Sequence, residues 1–153
     1  MTHCRPATLE DLPVLLEIEA TAFTEDDQFT RRTIRQKLDS PSAFVTICEV
    51  EGVPAGSAIL LFRKGVTVAR LYSIATNPVF EKRGVGAALI AACEAEALAR
   101  GCDRLRLEVR AENARARSLY ARCGYSLHDT RNGYYSNGDS ALVLERDLRA
   151  DTA

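Results

Sequence analysis

The hydrophobic pattern at the start of the chain predicts a short strand followed by two helices. Residues 3–8, HCRPAT, favour a strand, and residues 9–23 carry apolar side chains at the spacing of a helix, with Thr8 as its N-cap. After the polar segment TEDDQFT, Thr30 can cap a second short helix, RRTIRQKL, which ends before a Ser-Pro pair. We therefore expect one strand and two helices before the pattern changes.

The pattern then changes to the two-residue period of strands. AFVTICEV alternates apolar and polar residues, and VPAGSAILLFR and VTVARLYSIAT continue as further strands. Turn signals at Glu51-Gly52 and Lys64-Gly65 separate them. Asn77-Pro78 ends the third strand, because proline cannot donate a hydrogen bond into a sheet. Three antiparallel strands are therefore predicted over residues 43–76.

Helical spacing returns at Val85 and then alternates with strands. A helix runs from there to Arg100-Gly101, whose glycine marks a helix end. The remaining segments are a strand DRLRLEV, a helix from Asn113 closed by Gly124, and the strands YSLHDT and SALVLERDL. The predicted order is β-α-α-β-β-β-α-β-α-β-β, a mixed α/β (α+β) sheet with helices packed on its faces.

Composition and charge narrow the class of protein. The 153 residues fit one domain, which we take as 1–153, and the contents of 46% apolar and 27% charged residues are typical of a soluble globular protein. A net charge of -1 gives no global field that would attract nucleic acid or an anionic membrane. No apolar run is long enough for a membrane span, and the N-terminus lacks a secretory signal. We therefore expect a cytoplasmic protein.

Cysteine and histidine usage argues against a metal site. The five cysteines form no CxxC pair, and only two histidines, His3 and His128, accompany them. We expect reduced thiols and no bound metal. The cysteines are Cys4, Cys48, Cys93, Cys102 and Cys123.

The segment NPVFEKRGVGAALI, residues 77–90, joins a predicted strand to a predicted helix. The first N–H groups of that helix lack intrahelical partners and lie at the positive end of its dipole. Gly84 and Gly86 leave these groups uncovered, and Lys82 and Arg83 add positive charge. The segment therefore predicts a site for a pyrophosphate. A simple glycine turn with surface cations is the alternative that the segment alone leaves open.

Three kinds of phosphate-binding motif place such a turn before a helix, and two of them need residues that this chain lacks. A P-loop needs Gly-Lys-Ser/Thr at the helix start, which is absent. A dinucleotide fold needs a third glycine where this chain has Leu89, and Glu108 lies where a ribose-binding acid would. The 45 residues after Glu108 cannot build the second half of that fold. The third candidate is coenzyme A.

Several segments resemble the GNAT superfamily of N-acetyltransferases, over nearly the whole chain. RPATLEDLPVLLEIEATAF resembles its first strand and helix, and SIATNPVFEKRGVGAALI resembles its acetyl-CoA motif, Gln/Arg-x-x-Gly-x-Gly/Ala. RLRLEVRAENARARSLYARCGY and GYYSNGDSALVLERDL resemble the RimI-like branch, which acetylates protein N-termini. Glu81 departs from the motif, because it stands where the family has Gln or Arg. A carboxylate there repels a pyrophosphate unless it points away or Lys82 and Arg83 offset it.

The resemblance implies a GNAT-like acyl-CoA N-acyltransferase fold and a set of residues that bind acetyl-CoA. The backbone edge of one strand pairs with the pantetheine arm, the glycine loop holds the pyrophosphate, and one asparagine contacts the cofactor. That asparagine, Asn113, fits equally well as the N-cap of the next helix. The implied set is Ile74, Ala75, Thr76, Lys82, Arg83, Gly84, Val85, Gly86, Ala87 and Asn113.

The resemblance also implies that Glu108 is the general base and Tyr120 the general acid. The amine must lose a proton to attack a thioester, and the departing thiolate must gain one, so both residue types suit the reaction. The residues alone also fit a solvated Glu108 paired with Arg106 or Arg110. They equally fit a Tyr120 that packs in its helix with its hydroxyl at the surface.

The acceptor side is the least determined by sequence. TEDDQFTRRTIRQKL lies where GNAT enzymes often shape the acceptor site, and its acidic residues could attract a cation or form a solvated loop. Three tyrosines elsewhere in the chain could line an acceptor groove or could pack against other side chains of the fold. The acidic residues are Glu25, Asp26 and Asp27, and the tyrosines are Tyr72, Tyr134 and Tyr135.

We expect transfer of acetyl from acetyl-CoA to a primary amine by direct attack in a ternary complex. A protein N-terminus is the first choice of acceptor, and a lysine side chain or a small amine is the alternative. A coenzyme A-binding module without turnover is the alternative from another class. We expect a monomer or a homodimer, with neither nucleic acid nor membrane as partner.

Overall fold

The computed structural model describes residues 1–151, with the side chains of Asp26, Ala150 and Asp151 outside the description. The strands are β1 Thr2–Pro6, β2 Ala43–Val50, β3 Val53–Leu61, β4 Val68–Thr76, β5 Arg104–Arg110, β6 Ser126–Arg131 and β7 Ala141–Asp147. The helices are α1 Leu12–Ala22, α2 Arg31–Asp39, α3 Val85–Ala99 and α4 Ala114–Arg122. Short 3-10 turns cover Leu9–Asp11, Glu25–Asp27, Pro78–Phe80 and Leu148–Asp151. The predicted order of elements and the mixed α/β class are confirmed.

The boundaries near the start differ from the prediction in two respects. The first strand covers Thr2–Pro6 rather than residues 3–8. The predicted helix over residues 9–23 begins as a 3-10 turn and becomes α1 only at Leu12. The carboxylate of Asp11 accepts a hydrogen bond from the N–H of Thr8 at 2.8 Å and so closes this turn. The second predicted cap is confirmed, because the Thr30 hydroxyl accepts a hydrogen bond from the N–H of Thr33 at 3.1 Å.

One seven-stranded sheet carries the fold, in the order β1-β2-β3-β4-β5-β7-β6. All neighbouring strands are antiparallel except β4 and β5, which are parallel. A larger core lies between the sheet and α3 with α4, and includes Leu60, Leu89 and Leu105. A smaller core, with Ile34 and Ile47, lies under α1 and α2 on the other face. No helix in the described part of the chain is long and apolar enough to cross a membrane.

The pairing of β4 with β5 ends half-way along β4. The parallel register runs from Val68 opposite Arg104 to Leu71 opposite Leu107 and stops there. Beyond that point β4 stays paired with β3, and β5 stays paired with β7. The sheet therefore opens into a gap between the end of β4 and the end of β5.

A β-bulge at Tyr72 begins this gap. Ile59 of β3 lies opposite Ser73, whereas the next residue, Leu60, lies opposite Leu71, so Tyr72 is the extra residue. A bulge bends its strand and increases its twist. The bulge therefore turns the second half of β4 away from β5.

Gly56 of β3 brings the start of α3 close to the end of β4. A Cβ atom at this position would lie 2.7 Å from the carbonyl oxygen of Ala75 and 2.7 Å from the Cγ1 atom of Val85. Real Cβ atoms do not approach other atoms this closely. The absence of a side chain at Gly56 therefore sets how closely the loop before α3 can sit against β4.

Replacing Gly56 with alanine should destabilise the protein and displace the start of α3. Overpacking of a filled core costs about 1–3 kcal/mol of unfolding free energy, and the contact with a backbone oxygen leaves little room for relaxation. Urea denaturation measures this loss. Val53→Ile adds one methyl group at an exposed position of the same strand and serves as the control. Equal stability of Gly56→Ala and the wild type would contradict the assignment.

Candidate active site

A cavity of about 930 Å³ lies between the end of β4, the start of α3 and one face of α4. Its volume is in the range of pockets that hold ligands of cofactor size. Among the implied cofactor residues, Thr76, Lys82, Gly84, Val85, Gly86, Ala87 and Asn113 line it. In the described part of the chain, Ile74, Ala75 and Arg83 adjoin this lining without belonging to it. A smaller groove of about 420 Å³ beside β6 contains none of the implied residues.

The start of α3 presents unpaired N–H groups at this cavity. The first backbone hydrogen bond of the helix runs from the N–H of Ala88 to the carbonyl of Gly84 at 3.0 Å. The N–H groups of residues 84–87 precede it and have no acceptor within the helix. They lie at the positive end of the helix dipole, and Lys82, Arg115 and Arg122 add positive charge to the cavity. The cavity can therefore bind a pyrophosphate here.

The two glycines of the loop have different structural roles. Gly84 has a φ of +76°, a backbone conformation that residues with a Cβ atom rarely adopt. A Cβ atom there would have no neighbour within 4 Å, so the backbone angle and not the space requires glycine. Gly86 is helical, and a Cβ atom there would lie 2.8 Å from the Cδ2 atom of Leu119 on α4. Gly84 thus permits the turn, whereas Gly86 permits α3 and α4 to approach each other. Both roles add to the expected one, which is to leave the N–H groups of the helix start uncovered.

Glu81, the departure from the family motif, has a cationic partner across the cavity. Arg115 on α4 forms an ion pair with the Glu81 carboxylate. This hydrogen bond from Arg115 lowers the pKa of Glu81, so the carboxylate is charged and compensated. Both residues line the cavity together with Lys82. The charge compensation of Glu81 that was expected from Lys82 and Arg83 comes principally from Arg115.

Asn113 caps α4. Its side-chain oxygen accepts a hydrogen bond from the N–H of Ala116 at 3.1 Å, as an N-cap does. Asn113 also lines the cavity. Because the cap uses only the carbonyl oxygen, the side-chain amide nitrogen remains a donor. The two interpretations of this residue are therefore compatible, and its contact with a cofactor stays a prediction.

The second half of β4 has a backbone edge that no neighbouring strand in the described part of the chain pairs with, although β4 lies in the middle of the sheet. Ile74, Ala75 and Thr76 are paired with β3 on one side and face the gap on the other. Backbone groups along such an edge can pair with an extended ligand, as an added strand would. The role of these residues in binding the pantetheine arm stays a prediction.

Tyr120 lies in the core between α4 and the sheet. Its side chain is 5% exposed, and its ring meets the ring of Tyr125 edge to face at 6.1 Å. Burial raises the pKa of Tyr120, so the phenol stays protonated at neutral pH and can act as a donor. The Tyr125 hydroxyl, in contrast, already donates to Glu94 at 2.9 Å. The ring of Tyr120 therefore packs in the core, as the alternative expects, and its role as general acid stays a prediction.

Glu108 lies on β5 beside the gap, on the sheet face opposite α3. Its Oε2 atom lies 3.1 Å from the Nε atom of Arg70 on β4, and its side chain is 12% exposed. Arg106 and Arg110 instead pair with Glu145 and Asp139. The alternative of a solvated Glu108 paired with Arg106 or Arg110 is therefore wrong. The Arg70–Glu108 ion pair joins β4 and β5 where they begin to separate.

The candidate acceptor tyrosines lie on two sides of this gap. Tyr72 stacks on Phe29, from the segment between α1 and α2, with ring centroids 5.0 Å apart. Tyr134 and Tyr135, from the segment between β6 and β7, meet edge to face at 5.1 Å. Burial raises the pKa of Tyr135, and the charge of Glu108 acts on it too. The charge of Arg110 lowers the pKa of Tyr135 and partly offsets both effects.

The acidic segment at residues 25–27 contacts another part of the protein through Asp27. Glu25–Asp27 forms a 3-10 turn, and the Asp27 carboxylate lies 3.9 Å from the guanidinium of Arg110. The side chain of Asp26 lies outside the described residues. Asp27 is therefore part of an ion-pair network as well as being exposed to solvent.

Sequence reasoning missed the contributions of the arginines around the site. Arg115 and Arg122 line the cavity, Arg70 holds Glu108, and Arg110 contacts the segments on both sides. One signal was available, because Arg115, Leu119 and Arg122 are spaced four and three residues apart and share a face of α4. The partner of each arginine depends on strand pairing, which the local pattern does not contain.

The chain is similar to known acetyltransferases over most of its length. The sequence profile of the acetyltransferase (GNAT) family matches residues 12–125. A Bacillus subtilis protein, provisionally named ribosomal protein bS18-alanine N-acetyltransferase, is 30% identical over 146 residues, 92% of this chain and 91% of that protein. The Escherichia coli K12 ribosomal protein bS18-alanine N-acetyltransferase is 39% identical over 71 residues, 46% of this chain and 48% of that protein.

Solved structures agree with this relationship. The crystal structure of the Escherichia coli ribosomal-protein-S18-alanine N-acetyltransferase matches with a TM-score of 0.84 at 27% identity, covering 97% of this chain and 94% of that chain. The Thermoplasma acidophilum PaiA N-acetyltransferase, solved with coenzyme A, matches with a TM-score of 0.80 at 16% identity, covering 96% and 99%, and at this identity shows the fold alone. Since the family profile spans most of the chain, the chain belongs to the GNAT acetyltransferase family.

Proposed function

We propose that this acetyltransferase moves acetyl from acetyl-CoA to the α-amine of a protein N-terminus, by direct attack in a ternary complex. The observation that supports this most is the gap between β4 and β5. Glu108 reaches it from the sheet face of α1 and α2, and Tyr120 lies on the opposite face under α3 and α4. An amine and a thioester that enter from opposite faces can meet between these two side chains.

Bound acetyl-CoA supplies a thioester whose carbonyl carbon accepts the amine and whose sulfur leaves. The loop N–H groups and the cations of the cavity would bind its phosphates, and the edge of β4 would orient its pantetheine arm. The Arg70 ion pair uses Oε2 of Glu108, so Oε1 can take the proton of the amine directly or through water. The Tyr120 hydroxyl then donates a proton to the leaving sulfur.

The ionisation of the acceptor favours an α-amine over a lysine side chain. An α-amine titrates near 7.7–8.0, so roughly a third of it is neutral at pH 7.5, whereas only about 0.1% of a lysine is. One carboxylate suffices to deprotonate an α-amine, whereas a lysine ammonium needs a much stronger base or a lowered pKa. The names of the Bacillus subtilis and Escherichia coli relatives, which are alanine N-acetyltransferases of a ribosomal protein, agree with this choice.

A matched set of peptides tests the acceptor. We expect coenzyme A release with peptides that have a free N-terminal amine and no lysine, and none with the same sequences when the N-terminus is blocked. A third set, blocked at the N-terminus and containing lysine, tests the side-chain alternative. Release only with the third set would refute the N-terminal assignment. Tight acetyl-CoA binding with no release from peptides or small amines would favour the non-catalytic module.

Glu108→Gln and Tyr120→Phe should each lower kcat by about 10²- to 10⁴-fold, the usual contribution of general acid–base groups. Affinity for acetyl-CoA, measured by calorimetry, should stay near the wild-type value, because neither side chain lines the phosphate end of the cavity. Wild-type turnover by either variant would remove that residue from the mechanism.

Matched controls separate chemistry from folding in this experiment. Glu49 is a strand glutamate paired with Arg5 at 3.3 Å on the far side of the sheet, so Glu49→Gln breaks a comparable ion pair. Tyr125→Phe removes a buried hydroxyl that is bonded to Glu94. Both controls should keep kcat within about twofold even if they lose some stability, since surface and single hydrogen-bond losses are modest.

Arg115→Gln should weaken acetyl-CoA binding, because it leaves the Glu81 carboxylate uncompensated beside the phosphates. At low salt we expect a loss of roughly two- to fivefold, since exposed ion pairs are weak and screened. Combining it with Glu81→Gln should recover part of the loss. Titration calorimetry of all four proteins measures the coupling, and independent effects of the two substitutions would contradict it.

A further inference from the structure

Arg110 contacts two segments that are far apart in the chain. It is the last residue of β5 and lies on the same strand face as Glu108, about 7 Å further along. Its guanidinium lies 2.9 Å from the carboxylate of Asp139 and 3.2 Å from the side-chain oxygen of Asn137, both between β6 and β7. It also lies 3.9 Å from the carboxylate of Asp27, between α1 and α2.

The same guanidinium lies over the ring of Tyr135, 4.0 Å from its centroid. A planar guanidinium can stack on an aromatic ring and donate hydrogen bonds from its edge at the same time, which an ammonium cannot. Tyr135 is also within electrostatic reach of both Glu108 and Tyr120. Arg110 therefore holds an aromatic side chain that interacts electrostatically with both candidate catalytic groups.

The contacted segment between β6 and β7 is itself ordered by backbone hydrogen bonds. The N–H of Tyr135 donates to the carbonyl of Asp139 at 3.1 Å, and the N–H of Gly138 donates to the carbonyl of Tyr135 at 2.9 Å. The N–H of Asp139 donates to the side chain of Asn137 at 3.0 Å. Arg110 thus binds a preformed turn on one side of the gap and the turn that contains Asp27 on the other.

We propose that Arg110 is a positioning residue that holds these two segments together over Glu108 and so sets the width of the acceptor groove. The proposal rests on the proposed function, because it concerns the acceptor side of the same site. In the described part of the chain, the partners of Arg110 belong to these segments and not to the cofactor cavity. Its loss should therefore affect acceptor binding and leave acetyl-CoA binding unchanged.

Arg110→Gln and Arg110→Lys test the proposal against Arg104→Gln as the matched control. Arg104 lies on the same strand and face, is similarly exposed, and pairs with Glu145 at 3.0 Å, but its partners lie away from the acceptor segments. Arg110→Gln should raise the acceptor KM by about tenfold, with kcat and the acetyl-CoA KM within about twofold, as expected for the loss of charge-assisted hydrogen bonds. Arg110→Lys should be intermediate, because it keeps the charge but loses the stacking.

Amide hydrogen exchange gives a second readout that does not depend on turnover. The amides of Asp27, Tyr135, Gly138 and Asp139 should exchange faster in Arg110→Gln than in the wild type, and not in Arg104→Gln. Unchanged exchange at these amides, an equal effect of the control, or a parallel rise of both KM values would overturn the proposal. If the wild type acetylates no acceptor, the proposed function fails, and the exchange data still decide the role of Arg110.

Discussion

The separation of β4 from β5 is the constraint on which the rest of the site depends. If β4 and β5 stayed paired to the end of β4, the interior of the sheet would have no free backbone edge and no opening between its faces. The bulge at Tyr72 ends the pairing after Leu71 and Leu107. The glycine loop and α3 follow directly from the end of β4, so the same bend also determines where the N–H groups of the helix start point.

Arginines organise the charges around this opening. The chain as a whole is nearly neutral, at -1, so the local balance matters more than the total. Arg70 fixes the carboxylate of Glu108, Arg115 compensates Glu81, and Arg110 joins Asp27 to Asp139. In each case the arginine comes from a different element than the acid. These ion pairs therefore tie together elements that the hydrophobic cores hold only indirectly.

Sequence reasoning recovered the elements and the loop that lines the cavity, but not the pairings between distant residues. The helical and the two-residue spacing of apolar residues predicted the helices and the strands. The unpaired N–H groups at a helix start, next to Gly84, led to the prediction of an anion site. The partner of Glu108 was missed, because Arg70 lies 38 positions away and meets it only through the parallel pairing of β4 and β5. The second role of Gly86 was missed, since its close approach to Leu119 depends on how α4 packs.

The choice between the two buried tyrosines follows from their hydrogen bonds. Tyr120 and Tyr125 share one core and touch edge to face, and burial raises the pKa of both. The Tyr125 hydroxyl donates to Glu94, and that carboxylate also binds Arg146, so its proton is committed to a fixed network. Among the described residues, no group accepts a hydrogen bond from the Tyr120 hydroxyl. A hydroxyl without a protein partner is free to donate to a ligand, which supports the proposed acid role for Tyr120 rather than for its neighbour.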